Sequence, residues 1–166
     1  VNPGGKLPVT MPQNDNQLPV WSDFDFTGDV IDGFGYRRFD SLNLTPRYPF
    51  GYGLSYTTFD YDNLHINSSN FGNTHTITVS IEITNTGTRS GDEIVQLYLL
   101  TENASVEMPI KQLKGFHRVS LAPGETETVI LNLGPNELNY WSIENGSYII
   151  GEGDYTVKVG GSSQDL

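Results

Sequence analysis

Thr76-Ile77-Thr78-Val79-Ser80-Ile81-Glu82-Ile83-Thr84 alternates apolar and polar residues without a slip. In an extended chain successive side chains point to opposite faces, so Ile77, Val79, Ile81 and Ile83 share one face. One apolar face implies a half-buried strand in a sheet that packs on a second layer. Glu93 to Thr101, Glu-Ile-Val-Gln-Leu-Tyr-Leu-Leu-Thr, departs from that pattern. Val95, Leu97 and Leu99 fall on one side and Ile94, Tyr98 and Leu100 on the other, so both faces of this strand are expected to be covered, the second by a loop or a neighbouring domain. Between the two strands, Asn85-Thr86-Gly87 and Ser90-Gly91-Asp92 supply turn residues and predict a hairpin.

Working downstream, Lys111 to Leu121 is a strand through Leu113, Phe116 and Val119, with Gly115 as a bulge. Ala122-Pro123-Gly124-Glu125 is a turn, and Thr126 to Leu133 sends Val129, Leu131 and Leu133 inward. Pro135 to Leu138 suits one helical turn, Tyr140 to Ile143 a short strand, and Tyr148 to Ile150 with Asp154 to Val159 the last two. About seven short strands in roughly 100 residues is the size of an immunoglobulin-like fold. The 0 cysteines remove the inter-sheet disulfide and favour the fibronectin type III version. The expected fold class is therefore all-β, a fibronectin type III-like β-sandwich over residues 59–166, preceded by an irregular extension rich in proline and aromatic residues.

Working upstream, Arg47 to Tyr61 places Tyr48, Phe50, Tyr52, Tyr56, Phe59 and Tyr61 among Pro49, Gly51 and Gly53. Burying one such ring contributes roughly 1.5–3 kcal/mol, and rings that also bear a hydroxyl suit interfaces. The run reads as a glycine-jointed aromatic plug between two bodies of protein. Residues 1–49 hold six of the nine prolines and show no sustained period. Lys6 to Thr10 is at most one short edge strand, confined by its prolines. A segment of this kind does not offset its own ordering entropy, yet Trp21, Phe24, Phe26, Ile31, Phe34, Tyr36 and Phe39 are too apolar for a solvated linker. It must pack on something, either the following domain or protein outside this chain.

Lys and Arg number 9 against 20 Asp and Glu, for a net charge of −11. That field repels phosphate backbones and anionic membranes, so neither nucleic acid nor a membrane is an expected partner, while neutral sugars are indifferent to it. No apolar run approaches a membrane span, and the first residues lack the regions of a signal peptide: either any signal lies upstream in a longer parent or there is none, and the coreless opening segment favours the longer parent.

Several stretches, quoted as they stand, resemble landmarks of the C-terminal portion of glycoside hydrolase family 3 (β-glucosidase-like) enzymes. Asn2-Pro3-Gly4-Gly5-Lys6-Leu7-Pro8-Val9-Thr10, Gly33-Phe34-Gly35-Tyr36-Arg37-Arg38-Phe39-Asp40 and Tyr48-Pro49-Phe50-Gly51-Tyr52-Gly53-Leu54-Ser55-Tyr56-Thr57-Thr58-Phe59 are similar to the end of that family's α/β sandwich domain. Asn85-Thr86-Gly87, Gly91 to Tyr98, Leu113 to Phe116, Leu121 to Glu125 and Gly153 to Ser163 are similar to its fibronectin type III-like domain. The resemblance implies two parts: residues 1–58, a remnant of the α/β sandwich domain and linker, and residues 59–166. It implies a parent that removes a terminal β-linked glucose or related sugar by a retaining mechanism, outside the cytoplasm. The rest of that glycosidase, its barrel and α/β sandwich domains, is the expected partner.

A retaining glycosidase needs two carboxyl groups about 5–5.5 Å apart, and no residue here matches the family's nucleophile or acid/base. Asp23/Asp25, Asp60/Asp62 and Glu125/Glu127 have the spacing of a solvated strand face. His65, His75 and His117 lack ligand spacing, and Gly51-Tyr52-Gly53 lacks the third glycine of a dinucleotide loop. Hence no catalytic residue, cofactor or metal ligand is assigned, and the chain alone is expected to be inactive. The assigned roles are interdomain packing for Tyr36, Phe39, Tyr48, Phe50, Tyr52, Tyr56 and Tyr98, and candidate carbohydrate contacts at Trp21, Tyr140 and Trp141. Two functions remain open: a bracing part of a glycosidase, or a free-standing module that binds polysaccharide or lignin through an exposed coplanar strip of rings.

Overall fold

The computed structural model of the chain describes residues 2–19, 34–67, 76–103, 106 and 108–166. Its strands are β1 (Phe59–Ile66), β2 (Ile77–Asn85), β3 (Gly91–Glu102), β4 (Lys111–Leu121), β5 (Thr126–Leu133), β6 (Asn139–Ser142), β7 (Ser147–Ile150) and β8 (Asp154–Gly160). Helix α1 spans Gly35–Ser41 and the single turn α2 spans Pro135–Leu138. One antiparallel sheet has the order β1-β2-β5, a second β4-β3-β8, and β6-β7 is a separate hairpin.

The alternation in β2 does what it predicts: Ile77, Val79, Ile81 and Ile83 are all buried. They share one core with Val129, Leu131 and Leu133 of β5 and with Val95, Leu97, Leu99, Val119, Leu121 and Val159 of the facing sheet. Two sheets, each apolar on its inner face, make the expected sandwich.

The expected hairpin between β2 and β3 is not one. The two strands lie in different sheets, so the chain crosses over between them. Turn residues specify a reversal of direction, not which sheet receives the next strand. Asn85, fully buried, holds the crossover in place. Its Oδ1 accepts from Thr57 Oγ1 at 2.5 Å and from Gly87 N at 3.1 Å. Its Nδ2 donates to Arg89 O at 2.8 Å and to Leu121 O at 3.0 Å. Both donors and both acceptor positions of the amide are used.

The reading of β4 also needs correction. Its register against β3 passes from Leu97↔Gly115 to Tyr98↔Leu113, leaving Lys114 as the extra residue of a bulge beside Gly115. Phe116 pairs with Gln96, on the outer side, and is 69% exposed. Val119 is buried in the core. No bulge separates Phe116 from Val119, so at three positions apart the period of two puts them on opposite faces. The bulge lies between Leu113 and Phe116 and returns those two to the same, outer face.

Residues 2–19 and 34–58 do not form the expected strand over Lys6 to Thr10. Leu7 N donates to Tyr52 O, Gly51 N to Leu7 O and Met11 N to Tyr48 O, an antiparallel track that Pro8 and Pro12 interrupt because they have no N–H. Helix α1 was not foreseen. It is seven residues long, its N-cap Phe34 makes no side-chain capping bond, and a helix this short is not stable by propensity. Tertiary packing holds it: Phe39 is buried, and Asp40 pairs with Lys111 of β4 at 2.9 Å.

Candidate functional site

The outer side of the β4-β3-β8 sheet is where the two parts of the chain meet. Gln96 and Tyr98 point away from the sandwich core and are nonetheless buried, so the second apolar face of β3 is covered as expected, by the chain's own residues. Tyr36 of α1 packs edge-on against Tyr98 at 5.9 Å and 87°, and tilted on Phe50 at 5.3 Å. Its hydroxyl oxygen accepts from Leu113 N at 3.0 Å, next to the bulge. Tyr98 donates to Gln96 Oε1 at 2.7 Å. Gln96 Nε2 in turn donates to Gly161 O at 2.6 Å and Gly51 O at 3.3 Å. At Gly51 φ is +80° and a Cβ would strike the Gln96 amide, so both the turn and the close approach require glycine. Burial, with the neighbouring Tyr36 and Asp40, raises the Tyr98 hydroxyl above its usual range.

A second junction lies at the end of the sandwich. Glu93 is buried, and its Oε1 takes a 2.9 Å ion pair from Lys6 and a 2.8 Å hydrogen bond from Tyr61. A buried carboxylate is tolerated because it has both a cation and a donor. Burial first, then the charge and hydrogen bond of Glu93, push the Tyr61 hydroxyl above its ordinary value. Nearby, Asn2 Oδ1 accepts from Ser55 Oγ and Tyr56 N, and its Nδ2 donates to Ser90 O. The opening residues are thus tied to the sandwich by a salt bridge and side-chain bonds.

The residues assigned to packing divide into three groups. Tyr36, Phe39, Phe50 and Tyr98 lie on the buried outer side of the sheet. Tyr48 and Tyr52 stack on each other at 5.1 Å, with Tyr48 partly exposed. Tyr56 points to solvent at 67% exposure, beside Leu54 at 71%. Of the carbohydrate candidates, Trp21 lies outside the described residues. Tyr140 turns toward Gly151. Trp141 is 53% exposed and meets Tyr148 edge-on at 5.2 Å and 76°, which is not a coplanar pair.

The carboxylates Asp60, Asp62, Glu125 and Glu127 are exposed, and three of them accept bonds from nearby backbone N–H groups: Tyr61, Asn63 and Ala122. Among the described residues no group of three His, Asp or Glu side chains gathers to hold a metal. The joints at Asn85, Gln96 and Glu93 were not singled out from the sequence. A polar residue between Ile94 and Tyr98, on a face expected to be covered, was the signal for Gln96.

Residues 93–163 match the sequence profile described as the fibronectin type III-like domain. The chain carries a fibronectin type III-like domain. Along 99% of its length it is 44% identical to a β-xylosidase of Formosa agariphila, of which it covers 22%. It is 38% identical to a periplasmic β-glucosidase of Salmonella typhimurium, matching 96% of this chain and 21% of that one. A solved Bifidobacterium adolescentis GH3 β-glucosidase superposes with a TM-score of 0.88 at 35% identity, over 99% of this chain and 25% of that one. The chain therefore spans about a quarter or less of these relatives, and what it matches is the C-terminal part of family 3 β-glucosidases. The resemblance drawn from the sequence motifs stands on these similarities.

Proposed function

We propose that this chain is the bracing C-terminal part of a family 3 glycosidase whose remaining domains catalyse the hydrolysis of a terminal β-linked glucose or related sugar with retention. Residues 1–58 are the end of the preceding α/β sandwich domain and its linker, and residues 59–166 are the fibronectin type III-like domain on which that end is seated. The observation that carries this reading is the two-sidedness of the aromatic run. Phe50 packs on Tyr36, which lies against Tyr98, and Gly51 takes a bond from Gln96, while Leu54 and Tyr56 of the same run stay open. Apolar side chains turned outward beside a buried joint suit a further protein surface, and about three quarters of each similar enzyme lies beyond the matched part. A position outside the cytoplasm, periplasmic or extracellular, agrees with the Salmonella relative's name.

The expected result is no turnover of an aryl β-glucoside by this chain, and a gain in its thermal stability when the barrel and α/β sandwich domains are added in trans. Replacing Leu54 and Tyr56 together by serine should abolish that gain. Turnover by the chain alone, lost on changing one of its carboxylates, would overturn the reading.

A further inference from the structure

Hairpin β6-β7 belongs to neither sheet, and it carries the exposed Trp141. Between this hairpin, α1 and the start of β4 lies a cleft of about 900 Å³, lined by Arg37, Gln112, Asn139, Tyr140, Trp141 and Asn145 among others. We infer that this cleft binds a short neutral oligosaccharide, with Trp141 as the surface on which one sugar ring stacks.

The size is that of a small-ligand site. The lining is amphiphilic in the way a sugar is: an indole for the apolar C–H face of a ring, and amides and a guanidinium for its hydroxyl edge. Trp141 is held in orientation by Tyr148, its cross-strand neighbour in the hairpin, so little rotamer freedom remains to be lost on binding. Asn145 uses its backbone N and its Nδ2 on Ser142 Oγ, leaving Oδ1 for a ligand hydroxyl. Arg37 is half-buried and has no hydrogen-bond or ion-pair partner among the described residues. Burial first, and then the charge of Arg37, lower the Lys114 ammonium below its ordinary value, with Glu137 opposing. An unpaired, partly desolvated guanidinium gains most from a ligand that supplies acceptor oxygens.

Neutrality follows from charge. The chain carries −11 overall and Glu144 stands on the rim of the cleft, so an anionic ligand would meet a repulsive field on approach. The perpendicular setting of Trp141 and Tyr148 rules out a flat two-ring platform. A single soluble chain entering the cleft fits this geometry, and the surface of an insoluble polysaccharide does not. The site is distinct from the bracing surface at Leu54 and Tyr56, so the two proposals stand or fall separately.

The test is titration of the 166-residue chain with cellotetraose and xylotetraose in a Trp21→Phe background, where Trp141 is the only indole. Fluorescence and amide shifts of residues 139–145 should report saturable binding of at least one of them in the millimolar range, insensitive to added salt. Arg37→Gln, which leaves the hairpin untouched, should weaken it by about tenfold. Trp141→Ala, followed by amide shifts, should remove it, while Leu54→Ser with Tyr56→Ser should leave it unchanged. No saturable change up to tens of millimolar, or equal binding by Trp141→Ala, would overturn the inference. So would binding confined to a glucuronate-bearing oligosaccharide and lost with salt. None of these three results would touch the bracing role.

Discussion

Strands β2 and β3 run in facing sheets and both line one core, β2 with Ile77, Val79, Ile81 and Ile83 and β3 with Val95, Leu97 and Leu99, yet they differ on their other sides. The outer residues of β2 are Thr78, Ser80, Glu82 and Thr84, half-exposed and polar. Those of β3 include Gln96 and Tyr98, both buried beneath α1 and the aromatic run. Away from the polar joints at Asn85 and Glu93, the inner faces are held mainly by the hydrophobic effect, which is insensitive to detail. The outer side of β3 is held by a few oriented bonds, through Gln96, Tyr36 and Gly51, and its stability depends on each one. A β-sandwich can therefore be recognised from its inner faces, whereas what it is attached to is written on the outer ones.

That contrast can be broken experimentally, beginning where the effect is largest. Leu97→Ala opens a cavity in the shared core and should lower unfolding free energy by about 2–5 kcal/mol, seen as a loss in denaturant midpoint with both parts of the chain unfolding together. Lys6→Met strands the buried Glu93 carboxylate with only Tyr61, for a loss of about 3 kcal/mol. The double change Lys6→Met with Glu93→Leu should recover most of it. Gln96→Ala removes the bonds to Gly51 and Gly161, for about 1–3 kcal/mol. It should free the backbone at Arg47, whose side chain is already exposed and whose N–H bonds to Met11 O, and so speed tryptic cleavage there while the sandwich stays intact, which a pure core defect would not do.

Alkaline pH tests the same two junctions. Tyr61 and Tyr98 have hydroxyls raised above their ordinary value near 10, so the unfolded chain releases these protons first. Stability is then whole below about pH 10 and falls as pH rises past it. Tyr61→Phe should flatten that decline in urea melts taken across the range. The smallest effect is reserved for Phe116→Ser: an outward ring should change stability by no more than about 0.5 kcal/mol. A loss of several kcal/mol would restore Phe116 to the core and break the register drawn for β4.

The core was legible because Ile77 to Ile83 and Val129 to Leu133 keep a period of two without interruption. The double covering of β3 was legible too, from apolar residues at both parities. The failures have separate physical causes. Phe116 groups with Val119 by apolarity alone, but three positions with no bulge between them put the two on opposite faces; the bulge expected at Gly115 lies before both. The β2–β3 crossover reads as a hairpin in the sequence because the choice of sheet depends on Asn85 bonding to Thr57 and Leu121, residues distant in the chain. Helix α1 has neither a cap nor enough length to announce itself, since its stability comes from Tyr98 and Lys111 on the other part of the molecule. The Trp141 cleft needed coordinates, because Arg37 and Trp141 are about a hundred positions apart.

Gln96 bonds to carbonyls of Gly51 and Gly161, and Phe50 O accepts from Ser163 N at 2.9 Å. One amide on the middle strand thereby latches an early stretch and the closing stretch to each other. The two should fray as a single cooperative unit: deleting residues 161–166 would speed hydrogen exchange at Leu7 and Gly51, far away along the chain, before the sandwich interior noticed.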